Sequence, residues 1–104
     1  MTRLYLATHG DQRVWVVALI DLDVWTYVGN TGMFHLNQQL RDDFFVGADF
    51  TYTEIGTREA LQYIEDGVGQ FDEEELGYTL RAWEADHETL PRETVFASAV
   101  ADHS

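Results

Sequence analysis

RVWVVALIDLDVWTYV, residues 13 to 28, is the stretch on which the fold turns. Two runs rich in β-branched and aromatic residues, Arg13 to Ile20 and Val24 to Val28, flank a polar break at Asp21-Leu22-Asp23. Side chains of this kind suit a pleated, half-buried surface, so the stretch reads as two strands, the first largely buried. Toward the N-terminus, Leu4 and Leu6 alternate with Arg3 and Tyr5 in the run Arg3 to Thr8. His9-Gly10-Asp11-Gln12 supplies turn residues between that run and Arg13. The first 28 residues therefore read as an antiparallel meander.

Beyond it the period changes. Met33, Leu36, Leu40 and Phe44 follow 3, 4 and 4 spacing, which predicts a helix at about residues 33 to 45. His35, Asn37, Gln38, Arg41 and Asp42 then fall on its surface, and Gly47 is its stop. Phe50 to Ile55 alternates as a fourth strand. Thr57 is placed to cap a short helix carrying Ala60, Leu61 and Ile64 that ends near Gly67. Asp72 with Glu75 three residues on resembles a capping box, and it opens an acidic helix with Leu76, Leu80 and Trp83 on one stripe. Leu90-Pro91 ends that helix. Thr94 to Val100 fits an edge strand or a short helix, and the strand is the preferred reading. The expected architecture is α+β: one domain over residues 1–104, frayed at 1–2 and about 101–104. It has four to five strands in all, with two to three helices packed on one face.

The turn Gly29-Asn30-Thr31-Gly32 stands where a phosphate cradle would, between a strand and an expected helix N-terminus. A P-loop adds a longer glycine-spaced loop and a following Lys, and a dinucleotide fingerprint needs three spaced glycines. Here the nearest cation downstream is Arg41. The residues are better read as a turn.

Charge is the outstanding feature of the composition. Nineteen Asp and Glu stand against six arginines and no lysine, for a net charge of −13. Residues 53–104 hold three arginines against thirteen of those carboxylates, so the acid is concentrated in the second half. A chain so charged is not expected to bind DNA, RNA or an anionic membrane directly, because phosphate neutralisation needs a basic face. It suits a basic protein partner. Cysteine is absent, which removes disulfides and thiolate chemistry and fits a reducing cytoplasm. No secretory signal is visible, and no run approaches the roughly 18 apolar residues that span a bilayer.

Motifs for catalysis are sparse. His9, His35, His87 and His103 share no metal-ligand spacing such as HExxH. Ser98 and Ser104 lie outside any nucleophile-elbow context, and Asp42-Asp43 and Glu73-Glu74-Glu75 read as helix surface and helix start. The expectation is a protein with no cofactor, metal or covalent nucleophile. It would act by protein–protein interaction, as a regulator or inhibitor whose carboxylates imitate spaced phosphates. The residues assigned to partner binding are Glu65, Asp66, Asp72, Glu73, Glu74, Glu75, Trp83, Glu84 and Asp86. Two alternatives remain. One is a self-associating protein with an acidic solubilising surface, pairing through an edge strand or an outer apolar patch of Tyr5, Trp15 and Tyr27. The other is a small enzyme or metal-binding protein that uses His9 and His35 with a carboxylate.

Overall fold

A computed structural model describes residues 2–47, 49–70 and 89–103. The meander forms as expected. β1 (Thr2–His9), β2 (Gln12–Ile20) and β3 (Asp23–Val28) pair antiparallel, with Leu4 opposite Ala18 and Leu19 opposite Val24. Asp21 takes φ +56 in the β2–β3 turn, a left-handed conformation that Asp tolerates better than most residues. The chain continues through β4 (Met33–Leu36), α1 (Gln38–Phe45), β5 (Thr51–Ile55), α2 (Thr57–Glu65), β6 (Thr89–Pro91) and α3 (Arg92–His103). All six described strands join one antiparallel sheet in the order β5-β1-β2-β3-β4-β6.

The class is α+β, as the sequence predicts, with one strand more than the upper expected number. The extra strands come from two corrections. The stripe from Met33 to Phe44 is not one helix: Met33–Leu36 pairs with β3, and Asn37 separates it from α1. Asn37 has extended dihedrals and its side chain accepts from the Leu40 amide at 2.9 Å, which starts the helix five residues later than expected. Gly29–Gly32 consequently joins strand to strand. Leu90-Pro91 likewise belongs to β6, opposite Phe34 and Met33.

Thr94 to Val100, expected as an edge strand, lies within α3. Val95, Phe96 and Ala99 are buried at helical spacing, and alanine favours the helix. Pro91 precedes its first residue, where a missing N–H removes no helical bond, and Glu93 suits the positive end of the dipole. A smaller shift concerns α2. Its N-cap is Gly56 rather than Thr57, and the Glu59 carboxylate accepts from the Gly56 amide at 3.2 Å.

Both sheet faces are covered. Leu4, Leu6, Val16, Ala18, Tyr27 and Phe34 pack beneath α2 and α3 through Ala60, Val95, Phe96 and Ala99. Thr2, 1% exposed, joins β1 to α3 by a 2.6 Å bond between its hydroxyl and that of Ser98. On the opposite face, α1 sets Leu40 and Phe44 over Ala7, Val17 and Val24, with Tyr5, Trp15, Leu19, Phe50 and Tyr52 around them. So α1 lies apart from the other two described helices, because its own apolar pair, Leu40 and Phe44, needs a sheet face. Tyr5, Trp15 and Tyr27 do not form one outer patch. Tyr27 belongs to the first face, and α1 covers the other two.

Candidate functional site

A β-bulge shapes the α1 face. Ala7 pairs with Trp15 but Thr8 pairs with Arg13, so Val14 is the extra residue of β2. Strict alternation would put Arg13 and Trp15 on one face. The bulge separates them: Trp15 joins the α1 face, whereas the Arg13 guanidinium lies over the Tyr63 ring of α2, 5.6 Å from its centroid.

Beside Trp15 opens a cleft of about 320 Å³, lined by Trp15, Asn37, Gln39, Leu40, Asp43, Asp49 and Phe50. Its construction follows from Asp43. One carboxylate oxygen accepts from the Asp49 amide at 3.0 Å, and the other accepts from the Phe50 amide at 3.3 Å and the Tyr52 hydroxyl at 2.8 Å. These bonds tie α1 to the segment entering β5. The Tyr52 hydroxyl, with the two amides adding to it and partial burial opposing, holds the Asp43 carboxyl below its ordinary range. Burial, and then the bond and charge of Asp43, push the Tyr52 phenol well above its usual value. Aromatic rings back the latch. Phe44 meets Tyr52 at 4.8 Å and Tyr5 at 5.2 Å, and His9 meets Phe50 at 5.9 Å.

A second, more open cleft of about 380 Å³ lies between the β1–β2 turn and the end of α2, lined by Asp11, Gln12, Arg13, Asp66, Gly67 and Val68. It contains one residue of the expected partner-binding set, Asp66, and Glu65 is adjacent. Both are exposed at the C-terminal end of α2, whose last turn holds no basic residue. Gln62 donates to Asp66 at 3.1 Å. The rest of that set, Asp72, Glu73, Glu74, Glu75, Trp83, Glu84 and Asp86, lies outside the described residues, as does the expected acidic helix.

His9 and His35 do not converge. His9 is exposed at the end of β1, whereas His35 is 2% exposed in β4 instead of on a helix surface. Three strand spacings separate β1 from β4, roughly 14 Å, too far for shared chemistry. His35 Nε2 bonds the Thr31 hydroxyl at 2.7 Å, which ties it to its own turn. In that turn the Thr31 and Gly32 amides donate to the Val28 carbonyl and the Gly29 amide to that of Gly69, so three of its donors are already used. Among the described residues, no group of three or more His, Asp or Glu is gathered as a metal site would require, and no helix is long and apolar enough to cross a membrane.

The exposed large apolar residues are Leu22, Phe45, Val46 and Leu61, among those described. Sequence reasoning missed Phe45 (49% exposed) and Val46 (89%), although two apolar residues just off the Leu40–Phe44 stripe were the available signal. Arg41 links this region, donating to the Leu22 carbonyl at 2.6 Å with its guanidinium 5.8 Å from the Phe45 centroid. No family model matches the chain, and neither the curated proteins nor the solved structures include a match to it.

Proposed function

We propose that this is a non-enzymatic acidic protein that binds a basic protein partner, occupying a nucleic-acid-binding surface there in place of phosphates. A cytoplasmic setting fits the absence of cysteine. The observation that carries the reading is the end of α2. Glu65 and Asp66 are exposed where the helix dipole disfavours acid, with no cation in the last turn. A chain shaped for stability alone would gain from Lys or Arg there, and local rules are broken most often where function demands it. Every other carboxylate with a described side chain is also exposed, except the half-buried Asp43. Two ion pairs engage them among the described residues, Arg3–Glu54 at 3.9 Å and Arg92–Glu93 at 3.5 Å.

The test is capture from the native host on immobilised protein at low salt, read by mass spectrometry, with Glu65→Lys/Asp66→Lys in parallel. A basic nucleic-acid-binding protein is expected on the wild type and lost on the variant, whose fold persists. Retention on both, or no basic partner at all, sinks the reading.

One observation favours a second reading, self-association. The edges of the sheet differ: β6 is three residues long and ends at Pro91, whereas β5 is five residues long with no Pro. A twofold pairing of β5 centred on Thr53 would set Tyr52 against Glu54 and bring no like charges opposite each other. Light scattering over a concentration series separates the two, since a monomer at every concentration removes the dimer.

A further inference from the structure

We propose that the cleft between Trp15 and Phe50 accepts an arginine side chain presented by the protein partner. This rests on the reading that the partner is basic. The cleft's chemistry selects a flat cation. Trp15 and Phe50 contribute aromatic rings, Leu40 an apolar wall, and Asp43 and Asp49 two carboxylates. A guanidinium stacks on aromatic rings and meets a carboxylate with two parallel donors, whereas an ammonium is a compact, strongly hydrated point charge. Asp43 is held ionised by its three bonds and fixes the negative potential of the wall. Asp49 accepts no side-chain hydrogen bond among the described residues and is exposed, so its carboxylate is available to a ligand. The volume, about 320 Å³, sits at the small end of ligand pockets, which run from roughly 300 to 1,000 Å³. That is room for a side chain rather than a large cofactor.

Two described arginines near the cleft are held elsewhere. The bulge at Val14 turns Arg13 to Tyr63, on the other sheet face. Arg41, on the helix that forms one wall, is bonded to Leu22 and lies over Phe45. Both arginines rest against aromatic rings, the pairing the cleft offers to a guest. Among the described residues, no cation lines the cleft itself.

The experiment titrates nitrogen-15-labelled protein with the peptide acetyl-Gly-Arg-Gly-amide and follows the Trp15 indole N–H, assigned with Trp15→Phe. The citrulline peptide, equal in shape but uncharged, and the lysine peptide are the controls. A saturable Trp15 shift is expected with arginine, at least threefold weaker with lysine and absent with citrulline. Asp49→Asn should weaken arginine binding several-fold without changing Tm. Equal shifts with citrulline, full affinity in Asp49→Asn, or shifts confined to α2 would overturn the proposal. Capture of the basic partner by Asp49→Asn separates the two readings. Undiminished capture that still depends on Glu65 and Asp66 rejects the cleft and leaves the partner reading intact.

Discussion

At the scale of single residues, Asp43 and Tyr52 make the α1 face sensitive to pH at both extremes. The Asp43 carboxyl is depressed, so its contribution to stability is present above the unfolded value of roughly 3.9 and disappears as pH falls through the folded value. The Tyr52 phenol is raised, so its contribution holds below the unfolded value of roughly 10 and is lost as pH climbs beyond it. Asp43→Asn should therefore lower Tm at neutral pH, and the gap to wild type should narrow as pH falls below the unfolded value of roughly 3.9. Thermal unfolding by circular dichroism across that range checks it, and a gap independent of pH contradicts the latch. The buried His35 offers a second case. Thr31→Val leaves its Nε2 facing an apolar group and should cost about 1–3 kcal/mol by urea unfolding, whereas Thr31→Ser keeps the hydroxyl and should cost less.

At the scale of elements, the connection from α2 toward β6 depends on glycine geometry. Gly67 (φ +98) and Gly69 (φ +87) both occupy the left-handed region, and a Cβ on Gly67 would meet open space. A Cβ on Gly69 would meet the Tyr27 carbonyl oxygen at 2.5 Å, where the Gly69 carbonyl also accepts from the Gly29 amide. Gly67→Ala should cost the strain alone, about 1–2 kcal/mol, and Gly69→Ala clearly more. Comparable losses in urea unfolding would show that the close approach to β3 is not a constraint. The elements also show what the sequence could reveal. The meander was legible because Arg13 to Val28 combines β-branched residues with a polar break and has no helical period. β4 was not, because four residues are too few to display alternation, and Met33 and Leu36 happen to fit the stripe of Leu40 and Phe44. Asn37, three residues before Leu40, was the readable signal of a helix start. The short apolar run in α3 suits either period until its burial is known. The Trp15–Phe50 cleft had no local signature at all. Its walls are 35 positions apart in the chain, and the bulge that clears it falls at a valine rather than a glycine.

At the scale of the whole molecule, a net charge of −13 on 104 residues opposes compactness, and the few described ion pairs do little to offset it. Added salt screens that self-repulsion, because the Debye length falls from about 30 Å at 0.01 M to about 3 Å at 1 M. Tm should therefore rise with sodium chloride across that range. A complex held by opposite charges behaves in the reverse sense, since screening weakens its attraction and slows its encounter. Fold and complex are thus expected to respond to salt with opposite signs. A surface whose acid serves solubility alone predicts only the first response. Parallel series of Tm and of partner retention against salt decide between them. Retention that survives 1 M salt, at which screening acts within about 3 Å, would place the contact on apolar residues such as Phe45 and Val46 instead of the carboxylates.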